Sequence, residues 1–330
     1  MVTYLLVAID GTNSNGFGYS GGSDDSLRIC AQNESYVQAF HRLVKIPANR
    51  KYYAAGPGIR TYQGAGGLGE TADAATGAGC DEIEANAWRW LTAQLREDPT
   101  ARVILVGHSR GGHIVTDIAI RLASLVEGHF VPRSPSAHFA PHSPSTHLVP
   151  PLPSTDGCFN YEHQAVHFEL PQHLRAFQGV YFLGLYDAVD MTYQLGDTAV
   201  VPANVVWCFH ALRSRRVGSR ESWGNTATRT ARADRQHYFQ REFDASHGSI
   251  GGAMPEACDG SLGRDRNLAF VAGSVLAAGN PLGGLLVENV AGNVVASCRV
   301  SLTAAQNLAG GRRANLFILG GARQAGIPMD

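Results

Sequence analysis

The sequence predicts an α/β fold, a mostly parallel central sheet with helices on both faces. Three observations lead there. Short apolar runs rich in branched residues recur at "YLLVAID" (4–10), "RVILVGH" (102–108) and "GVYFLGLYD" (179–187). Stretches with apolar residues at helical spacing lie between them, and each run ends in a loop of small or polar residues. Continuous apolar strands suit a parallel sheet, because helices cover both of its faces.

The elements follow in chain order. "YLLVAID" is the first strand, halted by "GTNSNG". Residues 33–45 place Tyr36, Val37, Phe40 and Leu43 or Val44 at helical spacing, and "KYYAAGPGIRTY" is a short strand running into a turn. The glycine-rich stretch from Gly56 to Gly79 has no phosphate-loop Gly-Lys-Ser/Thr ending. Residues 80–99 read as a helix with Ile83, Ala87, Trp90 and Leu91 on one face, acids in the first turn and Pro99 closing it.

"RVILVGHSRGG" is then a strand and turn, followed by the helix "HIVTDIAIRLASLV". Residues 128–173, rich in Pro, Ser and His, break the alternation and read as an insertion or lid. "GVYFLGLYDAVDM" restores it with another strand, "ANVVWCFHALRS" is a strand passing into a helix or turn, and "REFDASHGSIGGA" is a strand ending in a loop. "LGRDRNLAFVAGSVLAAG" (262–279) reads as a helix, and the tail beyond about residue 280 as strand and turn. The eight arginines from Arg213 to Arg241, interspersed with acids, read as a solvated face.

With 44% hydrophobic and 17% charged residues in 330, the chain belongs among folded globular proteins. The reading is a single domain over 1–330 with 128–173 inserted in it. A net charge of −1 excludes a global attraction to nucleic acid or to anionic membrane. The six cysteines include no C-x-x-C pair, which argues against a zinc ribbon or redox motif and for mostly free thiols, with a disulfide left open. His129, His138, His142 and His147 of the insertion lack accompanying Cys or carboxylate spacing, so no metal and no cofactor is expected. The first apolar run is too short for a signal peptide, and no stretch reaches the ~18 apolar residues of a membrane span. Location is left open between the cytoplasm and a signal-independent export route.

The chemistry is concentrated at "VGHSRGG". A serine hydroxyl is a poor nucleophile and needs a base within hydrogen-bond reach. A turn between strand and helix lifts the Ser109 hydroxyl clear of the sheet, and Gly107 and Gly111 leave room for it. The N–H of Arg110, at the start of the helix, faces a developing oxyanion. A second oxyanion donor is expected from Gly11 or Thr12 after the first strand. Asp10 either shapes that loop by accepting backbone hydrogen bonds or is a simple turn acid.

The triad order Ser, acid, His places the acid after a later strand. Asp187 is the first choice and Asp190 the reserve, with a helix N-cap as the ordinary role of Asp190. Of the thirteen histidines, His247 stands best, after a strand and before Ser249, Gly251 and Gly252. His108 and His113 are expected to pack or hydrogen-bond beside the turn, and His210 and His237 to be structural.

Taken together, "DGTNSN", "YYAAGPGIRTY", "VGHSRGG", "GLYDAVD", "CFHALRSRR" and "SHGSIGGA", in that order, resemble the α/β-hydrolase domain of type VI secretion phospholipase effectors and their relatives. The likeness spans roughly residues 3–280. It implies a triad of Ser109, Asp187 and His247, an α/β-hydrolase fold, and hydrolysis of carboxylic esters, often phospholipid acyl esters. The chain departs from the family pattern at His108 and Gly112, where Phe and Ala are usual, at Ala188, where Thr is usual, and at Gly248 and Ser249.

The function expected is therefore that of a serine esterase or lipase working through an acyl-enzyme, with an ester or lipid as substrate and at most transient contact with a membrane surface. An acyltransferase or thioesterase with the same triad is one alternative, and a catalytically silent scaffold another. A secreted toxin would add a partner that neutralises or exports it, and no segment of the sequence marks one.

Overall fold

The computed structural model describes residues 2–12, 34–57, 79–127, 179–189, 200–217, 224–231, 237–252 and 302–330. The insertion at 128–173, Asp190, the expected helix at 262–279 and most of the glycine-rich stretch lie outside the described residues.

Strands β1 (Tyr4–Ile9), β2 (Lys51–Ala54), β3 (Arg102–His108), β4 (Val180–Tyr186), β6 (Val205–Arg213) and β8 (His237–Phe243) form one sheet. Its order is β2-β1-β3-β4-β6-β8, and every pairing is parallel. The short β5 (Val200–Val201) and β7 (Arg229–Thr230) make a separate parallel pair. The helices are α1 (Tyr36–Leu43), α2 (Gly79–Glu97), α3 (Arg110–Glu127), the single turn α4 (His247–Ile250) and α5 (Ala304–Gln324).

Alternation along the strands separates two cores. Leu5, Val7, Val103 and Leu105 face Ile83 and Leu91 of α2 and Ile114 and Ile118 of α3. Leu6, Ala8, Ile104, Val106 and Phe182 face Val37 and Phe40 of α1 and Ile318 and Ala322 of α5. Both sides of the central strands are apolar, so β1, β3 and β4 read as unbroken hydrophobic runs. Each fully buried leucine or phenylalanine here contributes about 1.5–3 kcal/mol of transfer free energy. On α2 the stripe is Ile83, Ala87, Leu91 and Leu95, while Trp90 turns aside to meet Tyr52.

One expectation is narrowed and one is corrected. "ANVVWCFHALRS" stays strand through Arg213, in the sheet between β4 and β8, and then enters a turn at 215–217, not a helix. In the described part of the tail, 304–324 is a helix opened by a capping box of Thr303 and Gln306, not strand and turn. Four interior glycines mask its helical signal, since Gly costs about 1 kcal/mol per helix position. Three of them allow close packing. A Cβ on Gly310 would lie 2.0 Å from the carbonyl oxygen of Asp244, one on Gly311 2.2 Å from that of Ser249, and one on Gly321 2.5 Å from the ring of Phe209.

Parallel strands bring their C-terminal ends to one edge. Ile9 is level with Gly107, His108 with Tyr186, Tyr186 with Ala211, and Arg213 with Phe243. Gly11, Ser109, Asp187, Arg213 and His247 all sit at that edge, at or just past the strand ends. The chain leaves β1 toward β2 on one side and reaches β3 on the other, so Gly11 and Ser109 flank the point where the strand order reverses, the usual place for a site in such sheets.

Candidate active site

Ser109 lies between β3 and α3 with a φ of 55°, a left-handed conformation that costs energy for a residue with a Cβ. The surrounding backbone fixes it there. Its N–H donates to Tyr186 O (3.0 Å), and its carbonyl accepts from the N–H groups of Gly112 (3.0 Å), His113 (3.3 Å) and Val189 (3.2 Å). The glycines permit that corner. A Cβ on Gly107 would stand 2.3 Å from Gly111 O, and one on Gly111 2.3 Å from Ile9 O. A Cβ on Gly112 would come within 2.6 Å of the Cβ of Ala188.

Asp187, just past β4, is also left-handed (φ 46°), and its N–H donates to Ala211 O (2.7 Å). Its buried carboxylate accepts four hydrogen bonds. Oδ1 takes the backbone N–H of Arg213 (3.2 Å) and Nδ2 of Asn225 (2.8 Å). Oδ2 takes Nη1 of Arg213 and Nδ1 of His247, each at 2.6 Å. Burial alone would raise this carboxyl, but Arg213 and His247 outweigh it and hold Asp187 well below the usual carboxylate range.

His247 opens α4 rather than lying in a loop. Ser246 caps that turn, its side chain accepting from Ser249 N. Asn307 of α5 grips the cap, accepting from Ser246 N (2.7 Å) and donating to Ser246 Oγ (3.1 Å). An ionised carboxylate only accepts, so the proton of the neutral imidazole sits on Nδ1. The lone pair of Nε2 then faces Ser109 Oγ at 2.8 Å. Ser109, Asp187 and His247 are brought together, and all three are buried.

The expected oxyanion donors surround the same corner. Arg110 is the first residue of α3, and its Nη1 reaches Thr12 Oγ1 at 3.5 Å. Gly11 is pressed against Ser109: a Cβ there would lie 3.1 Å from Ser109 Cβ and 2.4 Å from His108 Nδ1. Asp10 is held by two hydroxyls, Ser35 Oγ (2.7 Å) and Tyr53 Oη (2.6 Å). Burial, reinforced by Asp10, keeps the Tyr53 phenol protonated.

The remaining histidines have other partners. His108 lies tilted against His247 with ring centroids 4.9 Å apart, and its Nε2 lies 3.2 Å from the carbonyl oxygen of His247. His113 pairs with Asp117 (3.2 Å), His210 Nε2 accepts from Ala188 N (3.2 Å), and His237 stacks on Trp207 at 4.0 Å.

Sequence reasoning missed Arg213, Asn225 and Asn307. Arg213 was counted with a solvated arginine face, yet it is buried against Asp187. One signal was present: Arg213 is the first charged residue after the apolar run of β6, at the edge that holds the site. Asn225 and Asn307 act across contacts that no local pattern announces.

Among the described residues, no three His, Cys, Asp or Glu side chains are grouped to hold a metal ion. Among them also, no helix is long and apolar enough to cross a membrane. Cys208 is a buried free thiol, Cys80 on α2 is half-buried, and the other cysteines lie outside the described residues. Comparison of the chain with protein-family models, with curated proteins and with solved structures found no match.

Proposed function

We propose that this chain is a serine hydrolase of the α/β-hydrolase type that cleaves carboxylic esters, with lipid and phospholipid acyl esters as its substrate class. One observation carries this: the unbroken run of hydrogen bonds from Ser109 Oγ to His247 Nε2 (2.8 Å) and from His247 Nδ1 to Asp187 Oδ2 (2.6 Å). The chain order Ser, Asp, His and the serine between strand and helix agree with that fold's hydrolases. The lipid part of the proposal comes from the resemblance of the six motifs alone.

In the first step His247 Nε2 takes the proton of Ser109 as Oγ bonds to the acyl carbon. Asp187 holds the imidazole in the Nδ1–H tautomer and stabilises the imidazolium. The N–H groups of Arg110 and of Gly11 or Thr12 receive the oxyanion. Collapse of the tetrahedral intermediate expels the alcohol, which takes its proton from His247. A water deprotonated by His247 then attacks the acyl-enzyme, and Ser109 regains its proton as the acid leaves.

The test is a panel of p-nitrophenyl esters and phospholipid vesicles, run with the wild-type chain and Ser109→Ala. Wild type should release acid from at least one of them, and Ser109→Ala should lose more than about 10⁴-fold in kcat. Equal turnover by the variant would overturn the nucleophile. Acyl transfer to an added alcohol in place of water would move the assignment to an acyltransferase.

A further inference from the structure

Three buried groups meet at one oxygen. Asp187 Oδ2 is 2.6 Å from both Arg213 Nη1 and His247 Nδ1, and those two nitrogens are 3.4 Å apart. With Nδ1 protonated, both nitrogens are donors, so they share the carboxylate rather than bond to each other. The side chains of Arg213 and Asp187 are 5% and 0% exposed, so water screens the guanidinium little. The arrangement follows from the sheet: β6 lies beside β4 with Ala211 level with Tyr186, and Arg213, two residues on, sits on the same face of the strand.

The charge count differs from that of a plain Ser-His-Asp triad. There a lone carboxylate faces the imidazole, and protonating the histidine leaves a neutral pair. Here Arg213 already balances Asp187. Protonating His247 then leaves a net positive charge in a buried site, which is costly until a negative oxyanion forms beside it.

Among the described residues, Asp187 beyond β4, Arg213 of β6, and His108 and Ser109 at the end of β3 face His247. His108 presents Nε2 to a carbonyl, which fixes its proton there. Asp244, three residues before His247, pairs with Arg216 at 3.2 Å, and α5 offers the uncharged Asn307.

We propose that Arg213 is a positioning residue that acts through Asp187. It aims the carboxylate at His247 and keeps His247 an unprotonated base until the oxyanion appears, so that the site remains reactive in mildly acidic water. This rests on Ser109 being the nucleophile and goes beyond it.

The experiment is the rate of fluorophosphonate labelling of Ser109 against pH, in the full chain as wild type, Arg213→Gln and Arg213→Lys. Wild-type labelling should be half-maximal below about pH 6.5, the value of an ordinary imidazole. Arg213→Gln should move that acid limb up by about one pH unit or more, while Arg213→Lys, which keeps the charge, should hold it near the wild-type position. A slower Arg213→Gln with its limb unmoved would make the arginine merely structural and overturn the proposal. If Arg213→Gln does not fold, a wild-type limb at or above about pH 6.5, or a limb raised in Arg213→Lys, overturns it instead. Absence of label on Ser109 at every pH would remove the nucleophile and this proposal together. A labelled Ser109 with an unmoved limb removes the role of Arg213 alone.

Discussion

The backbone N–H of Val189 donates to the carbonyl oxygen of Ser109 at 3.2 Å, and the N–H of Ser109 donates to Tyr186 O at 3.0 Å. These bonds bracket Asp187 on both sides. The corner that carries the serine and the loop that carries the acid are therefore spaced by backbone, before any side chain acts. His247 is held independently, from α5 through Asn307.

The shared carboxylate gives Asp187 a structural role beside its proposed chemical one. Asp187→Asn should lower kcat by about 10⁴-fold, the loss expected when the base takes the wrong tautomer. It also leaves the Arg213 guanidinium buried without its counter-charge, which should cost about 3–5 kcal/mol in urea unfolding. Asp187→Asn combined with Arg213→Met should recover much of that stability and none of the activity. Equal stability of the single and double variants would contradict the account.

The glycines separate into two kinds that a thermal melt distinguishes. Gly111→Ala would push a Cβ to 2.3 Å from Ile9 O, and Gly310→Ala to 2.0 Å from Asp244 O, so both should destabilise by about 1–3 kcal/mol or more. Gly320, exposed on α5 with nothing within 4 Å of its would-be Cβ, should behave oppositely. Gly320→Ala should stabilise by up to about 1 kcal/mol through helix propensity alone.

Much of this was legible because it is local. The apolar runs of β1, β3 and β4 announce buried strands, and Gly107-His108-Ser109-Arg110-Gly111 announces its corner through sterics confined to a few residues. His247 was separable from the other histidines because a strand precedes it and small residues follow. Arg213 was not legible, because its partner lies across the β4/β6 register, 26 residues away in the chain. The helix α5 was hidden for another reason. The glycines that let it approach Asp244 and Ser249 lower its own helical propensity, so tertiary packing overrides the local signal.

Far from the site, Asp98 ties the loop before β3 to the first residues of the chain. Its carboxylate accepts from Thr3 Oγ1 (2.7 Å) and pairs with Arg50 (2.9 Å). The Thr3 hydroxyl first, and then Arg50 and Thr100, outweigh burial and bring its pKa down to about 2 from 3.8. A carboxyl depressed on folding stabilises fully above its unfolded pKa and loses that contribution as pH falls through the folded value. Asp98→Asn should therefore be less stable than wild type at neutral pH, with a deficit that shrinks from about pH 4 down to about pH 2. Urea unfolding of both chains across that range checks it, and a deficit independent of pH would contradict it.

The most direct measurement is peptide mapping by mass spectrometry after treatment with a fluorophosphonate, for wild type and His247→Gln. A single adduct on the peptide that contains Ser109, formed rapidly in wild type and slowed by orders of magnitude in His247→Gln, is the predicted result. An unmodified Ser109, or an adduct formed as fast without the imidazole, would contradict it.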